Sequence, residues 1–216
     1  MKIKNLAITS SSTIELDEEI KSPVCAFFGE YSEFTLDLIR EVIGDNDTIN
    51  DLDSVDDGRF VIHSEIEMDS KTYSVCYIRN ADFIGDRRIA ANFADSGVSF
   101  SKDDTEEYLD RLNMVNSRTC YVFEKALANI YKRIPSESDR MVAAFKSFIN
   151  CISRIEDDRP VFVYDFFDMI DESVDIRPFL YKMASMGRQI FVSVGKNFPH
   201  EKMEYKFVQK IRMQNS

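Results

Sequence analysis

Short runs of apolar, β-branched and aromatic residues recur along the chain and are typical of strands buried on both faces. Residues 23–28 read PVCAFF, residues 161–164 read VFVY, and residues 190–194 read IFVSV. A strand with one face in water would alternate between apolar and polar residues, and these runs do not. The pattern therefore predicts three central strands of an α/β sheet.

Apolar residues at three-and-four spacing predict helices between these strands. One is expected over residues 33–43, directly after a loop that holds Gly29. Another is expected over residues 178–186, where Gly187 suits the position after a helix end. With its flanking strands this helix forms one right-handed βαβ unit. The same spacing also predicts helices over residues 105–112, 120–133 and 136–155.

Alternating apolar and polar residues predict two antiparallel hairpins. The first joins residues 3–9 to residues 13–16, and the second joins residues 60–68 to residues 72–78 through a turn at 69–71. His63 falls on the polar side of the second hairpin and is expected at the surface. Residues 80–118 include the least regular part of the chain and are a candidate small lobe. The run over 202–211 fits either a helix or a strand.

Composition narrows the classes of protein that this chain can belong to. Its 216 residues suit one α/β domain, so residues 1–216 are expected to form a single domain. The formal net charge of −11 makes a long phosphate backbone an unfavoured partner, and the tail from Lys196 to Arg212 is the only candidate basic patch. The N-terminus lacks the apolar core of a signal peptide, and no apolar run approaches membrane-spanning length.

The four cysteines are not spaced as a metal or redox motif. We expect buried free thiols in a reducing compartment, and hence a soluble, cytoplasmic protein with no membrane partner. Two scattered histidines complete no metal constellation. The acidic run at 45–57 resembles an EF-hand loop poorly, and a solvated linker is the better interpretation.

Four residues carry candidate chemistry. Asp165 follows the strand at 161–164, at the end of a sheet strand where ligands bind in α/β folds. The alternative for Asp165 is a helix-capping or loop carboxylate. Gly29 and Thr35 lie in and after the loop that follows residues 23–28, with Ser32 as another possible hydroxyl. Ser136 opens a Ser-x-x-Asp pattern, which is also a plain capping box.

The order strand–loop–helix, hairpin, Ser-led helix and strand–Asp resembles the ATPase heads of the ABC, SMC and RecF group of P-loop NTPases. The resemblance implies a layered α/β fold, with a mainly parallel central sheet and an N-terminal or flanking antiparallel β subdomain. It also tips residues 202–211 toward a closing strand. In such heads the counterparts of Gly29, Thr35 and Ser136 contact nucleotide, and the counterpart of Asp165 holds Mg²⁺.

The chain departs from that group where the chemistry lies. A phosphate loop needs GxxxxGK[ST], yet no lysine stands between Lys21 and Lys71. Phe166 stands where a catalytic acid belongs, and phenylalanine cannot accept a proton. No histidine follows residues 190–194 closely enough to sense the outer phosphate. The resemblance therefore implies a vestigial nucleotide site with no catalytic residue and no cofactor beyond residual ATP and Mg²⁺.

Three functions stay open on the sequence. The first is a degenerate, inactive ATPase head that works as an interaction or assembly module in DNA maintenance or defence, by self-association or with a protein partner. The second is a weak ATP binder or ATPase. The third is a DNA-end-binding ring similar to the degenerate ABC-type CRISPR adaptation protein, although the net charge does not favour nucleic acid.

Overall fold

The structure is a computed structural model that describes the following residues of the chain. These are 1–10, 14–29, 31–44, 60–79, 87–92, 102–114, 121–123, 139, 142–143, 146–147, 149–150, 153–154, 158–164, 167, 174–195, 198–212 and 214–215. In them, no helix is long and apolar enough to cross a membrane.

The chain divides into two compact units. The first contains Met1–Lys21, Asp37–Cys120 and Met213–Ser216, and the second contains Ser22–Leu36 and Tyr121–Arg212. Whether they act as the single domain expected from the sequence, with or without a lobe at 80–118, stays a prediction.

Strands and helices alternate in the second half of the chain, and strands dominate the first. The strands are β1 (Lys2–Ser10), β2 (Ile14–Glu19), β3 (Val24–Phe28), β4 (Phe60–Met68), β5 (Lys71–Arg79), β6 (Arg87–Asn92), β7 (Tyr121–Phe123), β8 (Val161–Val163), β9 (Ile190–Val194), β10 (Val208–Arg212) and β11 (Gln214–Asn215). The α-helices are α1 (Ser32–Val42), α2 (Lys102–Met114) and α3 (Arg177–Ala184), and a 3-10 helix covers His200–Met203. Described residues between 139 and 150 are also helical.

A five-stranded parallel sheet forms the second unit, in the order β10-β3-β9-β8-β7. The three predicted buried strands are all confirmed as members, and every residue of β3 and β9 is buried. On one face, Leu180 and Met183 of α3 complete a core cluster with Val24, Val163 and Val192. Strands buried on both faces account for the unbroken apolar runs.

An aromatic stack packs the other face of this sheet. The ring of Phe191 lies 5.1 Å from Phe162 and 6.2 Å from Phe27, and all three are fully buried. Because these residues come from three neighbouring strands, the stack ties the register of β3, β9 and β8 together.

A six-stranded antiparallel sheet forms much of the first unit, in the order β11-β2-β1-β4-β5-β6. Both predicted hairpins are confirmed. The turn between β4 and β5 places Asp69 and Ser70 at φ values of 48° and 64°, as a two-residue type I′ turn requires. His63 is exposed, as expected, while Ile62 and Ile66 on the opposite side are buried. The mixed α/β architecture, with one parallel and one antiparallel sheet, agrees with the predicted fold class.

Helix α2 is held to the β4–β5 turn by an ion cluster that comprises Asp69, Lys71, Glu107 and Arg111. The Glu107 carboxylate accepts hydrogen bonds from Lys71 at 2.6 Å and from Arg111 at 3.2 Å. Arg111 also bonds Asp69 at 3.2 Å. Beneath the cluster, the Tyr108 ring packs 5.3 Å from Tyr73, whose buried hydroxyl has no hydrogen-bond partner among the described residues.

The structure corrects one predicted helix and resolves one ambiguity. Residues 120–133 were expected to be helical, but Tyr121–Phe123 forms β7 and pairs with β8. Tyr, Val and Phe all have high strand propensity. Pairing with β8 therefore outweighs the helical pattern of apolar residues, which begins only at Phe123. The ambiguous run over 202–211 contains part of β10, which confirms the closing strand from Val208 onward.

Replacing a ring of the buried aromatic stack should strongly destabilise the protein. We expect Phe162→Ala to lower the free energy of unfolding by about 3–5 kcal/mol, because it removes a buried ring and leaves a cavity. Urea denaturation followed by circular dichroism measures this. The matched control is Tyr181→Ala, an aromatic residue that is 66% exposed, whose cost should stay below about 1 kcal/mol. Equal losses in both variants would contradict the stacked core.

The ion cluster predicts a dependence of stability on pH. The hydrogen bond from Lys71 to Glu107, with the charges of Lys71 and Arg111, lowers the pKa of Glu107 from its ordinary value of 4.5. A lowered pKa in the folded state adds stability above the unfolded pKa, and that stability is lost as pH falls through the folded pKa.

Urea titrations of wild type and Glu107→Gln at pH 6 and at pH 3 test this. We expect the wild type to be the more stable of the two at pH 6 and to lose that advantage at pH 3. Glu106→Gln is the control on the same helix, because Glu106 pairs only with Lys102 in an exposed i,i+4 contact at 3.4 Å among the described residues. An advantage for wild type that is unchanged at pH 3 would contradict the role of the Glu107 charge.

Candidate functional site

The candidate site lies at the loop that joins β3 to α1. β3 ends at Phe28, and Gly29 follows with a φ of +105°, a conformation that side-chain-bearing residues rarely adopt. The backbone N–H of Gly29 donates to the carbonyl of Val194 at 3.4 Å, and the Gly29 carbonyl accepts from the N–H of Ser32 at 3.2 Å. The loop is therefore short and closes directly onto the end of β9.

Thr35, the predicted hydroxyl ligand, lies one turn inside α1. Its side chain is fully buried, and its Oγ1 donates a hydrogen bond of 2.7 Å to the backbone carbonyl of Tyr31. The N–H of Thr35 donates to the same carbonyl at 2.9 Å. The hydroxyl therefore acts as a helix back-bond, a common use of threonine in the first turns of a helix.

The exposed charge at the start of α1 is negative. Glu33 lies in the first turn and is exposed, while the neighbouring Ser32 is buried. A carboxylate in a first turn interacts favourably with the partial positive charge of the helix N-terminus. Glu33 therefore occupies the electrostatic position that a bound anion would use.

Parallel strands bring the residues that follow them to a common edge of the sheet. Gly29 follows β3, Gly195 follows β9, and Asp165 comes two residues after the end of β8. Since β9 separates β3 from β8, the ends of those two strands lie about 10 Å apart at the usual strand spacing. The Gly29 loop and the chain that leads to Asp165 therefore leave the sheet at the same edge.

Two of the four predicted site residues, Ser136 and Asp165, lie outside the described residues, so their side chains have no described position. Gly29 and Thr35 are described and belong to one strand–loop–helix segment. The roles of all four in nucleotide binding stay predictions. The sequence did not reveal that the backbone carbonyls of Tyr31 and Val194 accept the hydrogen bonds of this loop. Every residue has such a carbonyl, so the residue type gives no signal for it.

The described residues hold no group of three His, Cys, Asp or Glu side chains that could bind a metal ion. Cys25 and Cys76 are buried thiols outside any disulfide, as expected from the sequence. Cys120 and Cys151 lie outside the described residues.

Comparison of the fold with solved structures finds a similarity to an SMC head domain from Thermotoga maritima. The match has a TM-score of 0.59, covers 100% of this chain and 99% of that chain, and has 9% sequence identity. No family model and no curated protein matches the sequence. The similarity therefore establishes an SMC-head-like fold, which confirms the fold resemblance drawn from the order of elements. At this level of identity it shows the fold alone.

A side chain at position 29 should destabilise the protein through the backbone conformation alone, without steric crowding. A Cβ added to Gly29 or to Gly187 would meet no atom within 4 Å, so Ala at either position tests conformation alone. Gly187 has a φ of +74°, near the left-handed helical region, whereas +105° at Gly29 lies well beyond it.

We expect Gly29→Ala to lower the free energy of unfolding by about 1–3 kcal/mol and Gly187→Ala by about 1 kcal/mol. Chemical denaturation of both variants measures the difference. A smaller cost at Gly29 than at Gly187 would contradict a loop that depends on the glycine conformation.

Proposed function

We propose that this protein is a catalytically inactive, SMC-head-like domain that works by association with another macromolecule. The observation that carries the proposal is the state of the β3–α1 loop. Its glycine amide and its threonine hydroxyl are both engaged by backbone carbonyls of the protein itself. In a working phosphate loop these are the kinds of group that wrap phosphate and hold Mg²⁺.

Release of those groups for a ligand has an energetic cost. Freeing Thr35 from the Tyr31 carbonyl gives up a hydrogen bond of about 0.5–1.5 kcal/mol and opens a fully buried site. The Gly29 amide would have to leave Val194, which ties the loop to the sheet. Nucleotide binding would therefore have to break hydrogen bonds that the loop already makes.

Charge adds to this cost. An outer phosphate within about 4 Å of Glu33 would be repelled by about 1 kcal/mol in water and about 4 kcal/mol at an effective dielectric of 20. The helix dipole stabilises an anion at the helix N-terminus by only about 0.3–1 kcal/mol. No lysine lies between Lys21 and Lys71 to reverse the balance. Arg40 lies at the far end of α1, where it pairs with Asp37 at 3.6 Å. Repulsion outweighs attraction, which supports a nucleotide-silent head.

The partner that we favour is a second copy of this chain or another protein. The resemblance implies heads that pair, and such a face can persist after the phosphate-binding groups are lost. The role in DNA maintenance or defence follows from the resemblance alone and is part of the proposal.

Titration with ATP and Mg²⁺ tests the silent site. We expect no saturable heat in calorimetry, no shift in melting temperature up to millimolar nucleotide, and no phosphate release above background, because a ligand that binds only the folded state must raise its stability. Sedimentation velocity over a range of protein concentrations, with and without nucleotide, measures self-association, which we expect to be independent of ATP.

Saturable ATP binding would contradict the proposal. Loss of that binding in Asp165→Asn, with the melting temperature in the absence of nucleotide unchanged, would instead establish the weak ATPase alternative. Thr35→Ser is the conservative control, since it keeps the hydroxyl. It should leave the response to nucleotide as in wild type, although loss of the buried methyl group should lower the free energy of unfolding by about 0.5–1.5 kcal/mol.

A further inference from the structure

Three aromatic side chains form a row on the second unit. The ring of Tyr205 stacks on Phe207, with centroids 5.4 Å apart and an interplanar angle of 7°. The ring of Tyr181, on α3, meets Phe207 edge-on at 5.9 Å and an angle of 81°. We call Tyr181, Tyr205 and Phe207 the aromatic row.

The row is anchored on one side and open on the other. Tyr205 and Phe207 are partly buried and pack against the core cluster of the parallel sheet. Among the described residues, Tyr181 is the large hydrophobic side chain that is exposed to solvent, at 66%. A flat ring that is presented to solvent on a rigid base can stack on a ligand without losing much side-chain freedom.

The stretch of sequence that carries these three rings is positively charged. Residues 174–216 contain eight Lys or Arg and three Asp or Glu, a net charge of +5, within a chain of net charge −11. Two of the three acids are paired locally, Asp175 with Arg177 at 3.5 Å and Glu204 with Lys210 at 2.7 Å. In the sequence, Lys182 directly follows Tyr181, and Lys206 lies between Tyr205 and Phe207; both lysines are exposed.

We propose that the aromatic row, with Lys182 and Lys206, is a binding surface for single-stranded nucleic acid. Exposed aromatic faces that accept unpaired bases, flanked by cations that neutralise phosphates, are the recurring design of such surfaces. Protein–protein interfaces also favour tyrosine and phenylalanine, but they are depleted in lysine. Arg177, one helical turn before Tyr181, is exposed but paired with Asp175. Lys182 and Lys206, by contrast, make no ion pair among the described residues. The charge available near these rings is therefore that of lysine, which favours phosphate over a protein partner.

A single strand fits this surface better than a duplex. Bases in a duplex are already stacked and offer their faces to no protein side chain, whereas an unpaired base can lie on Tyr181. Duplex binding would rest on phosphate contacts alone, and the rest of the chain, with its net charge of −16 over residues 1–173, opposes a long duplex. Tyr205 and Phe207 precede β10, whereas the β3–α1 loop follows β3, its parallel partner, so the two lie toward opposite ends of the strands. The proposal therefore does not depend on the loss of nucleotide hydrolysis.

Fluorescence anisotropy with a labelled oligothymidine at low salt tests the proposal on the full-length chain. We expect saturable binding that Tyr181→Ala weakens by about 5- to 150-fold, the measured range for loss of one base–aromatic stack. Tyr181→Phe keeps the ring and should bind like wild type. Lys182→Gln and Lys206→Gln should each reduce the slope of log affinity against log salt by about 0.7, the single-strand value for one phosphate contact.

The matched control is Lys21→Gln, because Lys21 is an equally exposed lysine of the first unit that pairs with Glu19 at 2.9 Å. It should leave affinity and salt slope unchanged. Circular dichroism establishes that each variant is folded. Absence of saturable binding at low salt, equal binding of a duplex of the same length, or equal competition by a polyglutamate peptide would each overturn the proposal, the last in favour of an acidic protein partner.

Discussion

The parallel pairing of β3 with β9 on one side and β10 on the other is the constraint on which the second unit depends. All ten residues of β3 and β9 are buried, so every backbone amide and carbonyl there must find a partner inside the sheet. The aromatic stack of Phe27, Phe162 and Phe191 fixes one face, and α3 covers the other. The pairing continues past the last strand residue, because the Gly29 amide still donates to Val194.

That continuation shapes the candidate site. A phosphate loop has to leave its strand with free amides, and this one begins with an amide that belongs to the sheet. The helix that follows directs its threonine hydroxyl backward to Tyr31 and presents Glu33 to solvent. An SMC-head-like scaffold therefore does not by itself bring nucleotide-binding chemistry, since the scaffold rests on buried apolar strands and such chemistry on a few side chains between them.

The sequence predicted the fold well wherever periodicity was strong and local. The buried strands, the two hairpins, α1 and α3 agree with the structure to within one or two residues at most ends. The prediction was wrong at Tyr121–Phe123, where three residues form a strand only because β8 lies beside them. For the candidate site, the sequence placed Gly29 and Thr35 in and after the loop that follows β3, but it did not predict that the carbonyls of Val194 and Tyr31 accept their hydrogen bonds.

By itself, the sequence determined which segments are buried, the absence of a lysine between Lys21 and Lys71, and the concentration of positive charge in residues 174–216, because each is a property of residue type and spacing. Only the tertiary structure decided that β10 pairs with β3 while β11 pairs with β2. It also decided that Tyr181, Tyr205 and Phe207 meet in one row. The physical reason is that a strand's partner and a ring's neighbour are chosen by chain segments far away in sequence, through packing that no local pattern encodes.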